Sequence, residues 1–281
     1  MKNYSITFFC LCLLASCMVM ESQAGVPLPS VTYFGSVRNP YGYPYNKNAE
    51  VVLFKGSVEC VRFLTTGERS HGMNYRLDLE MDSGGVPYEP YAAQVGDVIG
   101  LKVYDQGQPM AIMPNAYLSS TSTLTVPDAG KNVRLDIQTG TDSDDDGLPD
   151  AWERLLIAMS GGALKTLADV RPEDDFDGDG SSNLHEFQSG TFPWLANDCF
   201  AMDDLEHDAN GRFSFSFLAV DGFVYEVLAS TNLTSGVWNK QLFASTPTAP
   251  VEPGYILGDD TFKTIYVEAT NAVEFIRLTI K

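Results

Sequence analysis

The sequence has few basic residues, few histidines and, after its first 24 residues, few cysteines. Its 281 residues include 18 Lys and Arg against 37 Asp and Glu, which gives a formal net charge of −19. A surface this acidic repels nucleic acid and anionic lipid headgroups, so we expect neither as a partner. The three histidines also leave little material for histidine-based catalysis.

The motifs of common enzyme classes are missing as well. The chain has no Gly-x-Ser-x-Gly elbow, no phosphate loop and no dinucleotide fingerprint, and His185-Glu186 lacks the second histidine of a zinc-protease helix. A glycosidase needs only two carboxylates that are distant in sequence, and such a pair leaves no motif. We therefore predict a non-catalytic protein, with a glycan-acting enzyme as the least favoured alternative.

A single long hydrophobic run occurs, at the start of the chain. Lys2 precedes an apolar stretch from Ile6 to Met20, and Ser22-Gln23-Ala24 places small residues at the two positions that a signal peptidase recognises. Leu14-Ala15-Ser16-Cys17 resembles a bacterial lipobox, whose cysteine carries a lipid anchor. Both interpretations predict an exported protein, secreted or at the cell surface. Only the second brings a membrane contact, through Cys17.

After Ala24 the cysteines are Cys60 and Cys199, which lie far apart in the chain. A disulfide between them would join the first domain to the following segment in an oxidising compartment. Two separate buried thiols that act as small apolar side chains are the favoured alternative. Neither alternative makes the chain a disulfide scaffold.

Two stretches show the residue alternation and turn spacing of short β-strands. In the first stretch we expect strands at 31–37, 50–54, 59–64, 75–79, 98–104 and 133–137, and in the second at 212–218, 223–229, 266–269 and 273–280. Strands this short, separated by Gly, Pro, Asn and Asp, are typical of small antiparallel sandwiches.

Between these stretches, residues 142–153 and 175–186 both follow the twelve-position rule of calcium loops. Positions 1, 3, 5, 7, 9 and 12 hold Asp142, Asp144, Asp146, Leu148, Asp150 and Glu153 in the first loop, and Asp175, Asp177, Asp179, Ser181, Asn183 and Glu186 in the second. Calcium takes about six to eight oxygen ligands, and position 7 supplies a backbone carbonyl. Glycine at position 6 permits the sharp bend that the loop requires. A flexible acidic linker, which is the alternative, needs neither this glycine nor the final glutamate.

The flanks of the two loops differ from those of paired EF-hands. A strand end rather than a helix precedes the first loop, and position 8 holds Pro149 and Ser182. Helices are expected at Ala151–Met159, ending at Gly161-Gly162, and at Asn183–Gln188, ending at Gly190. The side chains expected to form a shared core between them are Trp152, Leu155, Leu156, Leu184 and Phe187.

These features predict a mainly β fold, with two antiparallel β-sandwich-like domains joined by a short helical calcium-binding segment. The expected divisions are a signal peptide at 1–24, an N-terminal β-sandwich-like domain at 25–140, a two-loop connector at 141–199 and a C-terminal β domain at 200–281. The expected cofactor is calcium, at two sites.

The connector resembles the bacterial thrombospondin type 3-like calcium repeats, in which a DGLPDAWE loop precedes a second loop and a Gly-Thr-x-Pro stop, here Gly190-Thr191-Phe192-Pro193. This resemblance implies that calcium is structural and that it fixes the angle between the flanking domains. Gly35-Ser36-Val37, Ala49–Leu53 and Tyr75–Leu79 resemble a transthyretin-like or carboxypeptidase-regulatory-like domain, a module that is usually structural or adhesive.

The C-terminal stretch from Phe223 to Trp238 resembles the small β-domain that closes many secreted proteins with such repeats. We expect Trp238 in its core; the alternative places Trp238 on a sugar-binding surface. The leading hypothesis is a structural or adhesive protein with a calcium-rigidified connector. The second hypothesis is a module that binds a surface glycan or another surface protein.

Overall fold

The computed structural model describes residues 25–67, 72–85, 88–119, 122–207, 211–268 and 275–280. Strands account for 41% of the structure and helices for 10%, which confirms the predicted mainly β class. The expected signal peptide at 1–24, including Cys17, lies outside the described residues. Among the helices of the described ranges, none is long and apolar enough to cross a membrane.

The described residues of the N-terminal region form ten strands. They are β1 (Pro27–Gly35), β2 (Val37–Arg38), β3 (Ala49–Lys55), β4 (Val58–Leu64), β5 (Tyr75–Asp82), β6 (Val98–Asp105), β7 (Gln108–Met110), β8 (Thr123–Thr125), β9 (Asn132–Arg134) and β10 (Ile137–Gln138). One sheet has the order β5-β1-β9, and a second has the order β4-β3-β6-β7 with β8 also on β6. Inward residues of both sheets, such as Leu77 of β5 and Leu53 of β3, share one hydrophobic core, so the region is sandwich-like.

Two strand pairs in this region depart from the antiparallel expectation. β9 pairs with β1, and β10 with β2, in the parallel direction. The chain reaches 132–138 only after passing through β3 to β8, so no hairpin forces the returning segment to run antiparallel to β1 and β2. The single strand expected at 133–137 is consequently divided into β9 and β10.

The connector contains two α-helices and a short 3₁₀ turn at Leu167–Asp169. Helix α1 spans Asp150–Met159 and helix α2 spans Asn183–Ser189, which confirms both predicted helices. Gly190 ends α2 in the left-handed conformation, with φ of 77°.

The connector has a small hydrophobic core of its own. It is formed by Leu148, Trp152, Leu156, Val170 and Phe187, with Leu184 packed against it. The rings of Trp152 and Phe187 meet edge to face, with centroids 5.8 Å apart. The expectation for Leu155 was wrong, because its side chain is exposed. Leu155 and Glu153 lie on opposite sides of the Trp152–Leu156 stripe, and the fold buries Glu153.

Eight strands are formed by the residues that the structure describes in the C-terminal region. They are β11 (Asp203–His207), β12 (Arg212–Ala219), β13 (Val224–Ser230), β14 (Asn239–Lys240), β15 (Phe243–Ala244), β16 (Ile256–Leu257), β17 (Thr261–Glu268) and β18 (Phe275–Ile280). One antiparallel sheet has the order β11-β12-β17-β15, and in the other β13 pairs with β14, β16 and β18. Phe217 of β12 and Tyr225 of β13 pack together, with ring centroids 5.0 Å apart, so the two sheets share a core.

Three side chains are placed differently from the expectation. Trp238 is half-buried rather than a core residue, and the Arg277 guanidinium lies 4.3 Å from its ring centroid. A neighbouring arginine on β18 covers this ring because Trp238 follows the surface turn at 233–236, outside the sheets. Cys60 and Cys199 are free thiols, and both are half-buried rather than fully buried.

Candidate metal centre

The two acidic loops have the same backbone conformation at their critical positions. Position 4 is left-handed in both, with φ of 58° at Asp145 and 81° at Gly178. Position 6 also has positive φ, 96° at Gly147 and 99° at Gly180. A Cβ on either of these last two glycines would meet no atom within 4 Å, so their backbone angle rather than crowding requires glycine.

Hydrogen bonds inside each loop hold the aspartates in equivalent orientations. The Gly147 N–H donates to Oδ2 of Asp142 at 2.9 Å, and the Gly180 N–H donates to Oδ2 of Asp175 at 2.8 Å. The aspartate at position 5 accepts from the N–H at position 7, as in Leu148 N–H to Asp146 Oδ1 at 2.8 Å. Asp179 repeats this bond with the Ser181 N–H at 2.7 Å.

This arrangement brings three carboxylates together in each loop. Oxygens of Asp142, Asp144 and Asp146 lie within 4.8 Å of one another, and so do oxygens of Asp175, Asp177 and Asp179. Carboxylates this close repel one another unless a cation or a proton lies between them. Both triplets could therefore hold a metal ion.

The glutamate at position 12 is fully buried in both loops. Glu153 and Glu186 occupy the fourth residue of α1 and of α2, and each is 0% exposed. None of their four carboxylate oxygens has a hydrogen-bond partner among the described residues. An unpaired carboxylate is among the most costly groups to bury, so these oxygens require a cation or a proton.

Burial and neighbouring charge act together on these two glutamates. Burial, followed by the charges of Asp144 and Asp146, raises the pKa of Glu153 to about 8. Burial, followed by Asp177 and Asp179, raises the pKa of Glu186 to about 8. The same carboxylates that destabilise the ionised glutamate would attract a cation placed among them.

The two loops differ at position 9. In loop 1 both oxygens of Asp150 are engaged: Oδ1 accepts from the Ser143 N–H, and Oδ2 accepts from the Ser143 hydroxyl at 2.8 Å and from Arg154 at 2.9 Å. In loop 2 the Asn183 amide donates to the Arg171 carbonyl at 2.8 Å. Its Oδ1 is buried and has no hydrogen-bond partner among the described residues.

Position 7 contributes to a cation only through the backbone. The side chain of Leu148 is fully buried in the connector core, and Ser181 is largely buried. Their carbonyl oxygens are therefore the groups that this position offers, as the loop rule assumes.

The fold also brings an acidic side chain that the motif did not predict close to loop 2. The charge of Asp198 contributes to raising the pKa of Glu186, and Asp198 Oδ2 accepts from the Phe192 N–H at 2.9 Å. Asp198 follows the second loop by twelve residues and belongs to no spacing rule. Its proximity to loop 2 depends on residues 192–198 folding back towards that loop.

Comparison with known proteins adds no family to this geometry. No protein-family model matches the chain, and no curated protein matches it.

Proposed function

We propose that this chain is a non-catalytic, exported calcium-binding protein with a structural or adhesive role. Two calcium ions, one in each loop, would make its connector rigid. The observation that carries the proposal is the pair of buried glutamates, Glu153 and Glu186, whose oxygens lack hydrogen-bond partners among the described residues. Each glutamate closes a loop that also presents three converging aspartates.

The chemistry of the donors favours calcium over other biological metals. The side-chain donors at the ligand positions of both loops are oxygens, and no cysteine or histidine belongs to either triplet. Zinc favours nitrogen and sulfur ligands, whereas magnesium retains several waters in a strict octahedron. A loop that supplies three aspartates, a carbonyl and a two-oxygen glutamate matches the larger coordination number of calcium.

Contacts of the connector with both β regions support a role for calcium in interdomain rigidity. The Tyr43 hydroxyl, from the N-terminal region, donates to the carbonyl of Gly190 at 3.2 Å. A Cβ on Gly190 would lie 2.5 Å from Cε2 of Phe223, so the end of α2 packs directly on the C-terminal region. Calcium bound to Glu186 would fix α2, and α2 contacts both regions.

The thrombospondin type 3-like resemblance of residues 142–193 leads to the same proposal. A role as a surface-glycan or surface-protein binding module is the second proposal, and it depends on the partly exposed ring of Trp238. The Arg277 guanidinium over that ring leaves less aromatic surface for a sugar to stack on. We therefore favour the calcium-rigidified structural role.

Calorimetric titration of the chelator-stripped mature chain with calcium tests this proposal. We expect two bound ions for the unmodified chain and one for Glu153→Gln or Glu186→Gln. The matched control is Glu206→Gln, because Glu206 is exposed on β11 and belongs to neither loop. Absence of binding at millimolar calcium, or two ions in both loop variants, would contradict the proposal.

A further inference from the structure

A cleft outside the metal loops lies where the connector meets both β regions. It has a volume of about 460 Å³. Polar and aromatic side chains from all three parts of the chain line it, namely Arg38 of β2, His185 and Gln188 of α2, Phe200, and Arg277 and Thr279 of β18. The cleft therefore exists only in the assembled chain.

The charge of this cleft is opposite to that of the protein. Acidic residues outnumber basic ones by 37 to 18 in the chain, yet the described lining contains two arginines and no aspartate or glutamate. Two arginines that line one cleft, with no acidic residue in that lining, favour an anionic ligand there. In an acidic protein this segregation points to a binding site for an anion.

Arg38 is held in place without being neutralised by a direct ion pair. Its guanidinium lies 4.6 Å from the ring centroid of Phe223, and among the described residues it makes no side-chain hydrogen bond or ion pair. Burial lowers the pKa of Arg38, and Asp136 is the acid whose charge raises that pKa against the larger effect of burial. The Asp136 carboxylate is already occupied by Arg134 at 2.8 Å and by the Ser36 N–H at 2.9 Å.

Arg277, which reaches the cleft from β18 of the C-terminal region, is also oriented by an aromatic ring. It stacks on Trp238 at 4.3 Å and has no ion pair within the described ranges. A guanidinium that stacks through its face keeps its N–H groups, which lie in the ring plane, available to an acceptor. Two guanidinium groups oriented in this way favour a ligand with several oxygens, because arginine binds carboxylates and sulfates through paired hydrogen bonds.

We propose that this cleft binds the oxyanion group of a small ligand, either the carboxylate of a sugar acid or free sulfate. Arg38 and Arg277 supply the charge-assisted hydrogen bonds, and Gln188, Thr279 and His185 supply further hydrogen-bond donors at the rim. The site lies outside the metal ligands, and it rests on the proposed function only in that calcium would fix α2, which carries His185 and Gln188.

Calorimetry of the mature chain in calcium-containing buffer tests the proposal, with galacturonic acid and sodium sulfate as separate probes. We expect at least one probe to bind, and Arg38→Gln and Arg277→Gln each to weaken its binding by about tenfold. Binding should also change the tryptophan fluorescence, and this change should disappear in Trp238→Phe. Tighter binding of galacturonic acid would identify a sugar acid, and tighter binding of sulfate an inorganic anion.

The matched control is Arg62→Gln, because Arg62 is already paired with Glu50 and with Glu59. It should change probe affinity by less than about twofold. Arg277 is exposed, so its variant keeps the test decisive if Arg38→Gln fails to fold. No binding of either probe by the unmodified chain, or equal losses in Arg62→Gln and Arg277→Gln, would overturn the proposal. Calcium titration of the same samples shows independently whether the metal loops function.

Discussion

The two acidic loops share one backbone but are embedded differently. Both have left-handed residues at positions 4 and 6 and a buried glutamate at position 12. Loop 1 leads into α1, whose far end at Met159 is half exposed. Loop 2 leads into α2, whose far end at Gly190 contacts Tyr43 on one side and Phe223 on the other. The repeated motif therefore supplies two similar candidate metal sites, and the helix that follows loop 2 ends in contact with both β regions.

The loops also differ in whether the side-chain oxygens at position 9 already accept hydrogen bonds from the protein. Ser143 and Arg154 occupy the carboxylate of Asp150 in loop 1, whereas the Oδ1 atom of Asn183 in loop 2 has no partner among the described residues. Loop 1 thus uses position 9 to stabilise its own conformation. Loop 2 keeps an additional oxygen for a ligand, and we expect it to depend more on that ligand for its structure.

Removal of calcium should produce the largest effect, because it affects both loops together. Two ions, each present at about a hundredfold its dissociation constant, would stabilise the connector by about 5 kcal/mol. With a chelator, we expect proteolytic cleavage within 142–186, while the two β regions survive as fragments. Limited proteolysis with and without calcium checks this. Cleavage that is equally fast in both conditions would contradict a metal-dependent connector.

Loss of the second ion should disturb the junction more than loss of the first. Glu186→Gln should increase hydrogen exchange at residues 39–43 and 190–191, because α2 loses its fixed position there. Glu153→Gln should leave exchange at those residues close to that of the unmodified chain. Each variant should lose about 2.7 kcal/mol of calcium-dependent stability at a hundredfold excess over the dissociation constant. Equal increases in hydrogen exchange at these residues in both variants would contradict a larger role of loop 2 in holding the junction.

Position 9 should be more sensitive in loop 2 than in loop 1. In a Glu153→Gln background, Asn183→Ala should weaken the remaining site by about tenfold, or 1.4 kcal/mol, because an oxygen ligand is lost. In a Glu186→Gln background, Asp150→Asn should weaken the remaining site by about threefold or less, because its oxygens already bind Ser143 and Arg154. Calorimetric titration measures both affinities. The opposite ranking would assign direct ligation to Asp150.

The smallest effect concerns the contact between α2 and the N-terminal region. Tyr43→Phe removes the 3.2 Å hydrogen bond to the Gly190 carbonyl and should lower the free energy of unfolding by about 0.5–1.5 kcal/mol. Tyr41→Phe is the matched control, because Tyr41 is exposed in the same turn. Denaturant unfolding in saturating calcium compares the two variants. Equal stability would show that this bond does not couple the regions.

Local patterns were sufficient to predict most of the regular structure. The alternation of Tyr75, Leu77 and Leu79 with charged residues predicted β5, and the glycines at 161–162 and 190 predicted where the helices end. The hairpin between β6 and β7 turns at Gln106 and Gly107, which are adjacent in sequence to both strands. Such features depend on neighbours a few residues away, so a single sequence contains the information.

Long-range features could not be predicted from the same patterns. The parallel pairing of β9 with β1 depends on how the chain returns after β8, and the exposure of Leu155 depends on which side of α1 faces the loop. The proximity of Asp198 to Glu186 and the presence of Arg38 and Arg277 in one cleft join distant segments. No spacing rule links those positions.

The sequence by itself determined the mainly β class, the two helices and the identity of the candidate metal ligands, because loop chemistry is encoded within twelve consecutive residues. Only the tertiary structure decided that Glu153 and Glu186 are buried without hydrogen-bond partners among the described residues, that Asp150 is occupied, and that α2 joins both β regions. Whether a side chain is buried and whether it finds a hydrogen-bond partner depend on residues from other parts of the chain. Those partners become neighbours only when the chain is folded.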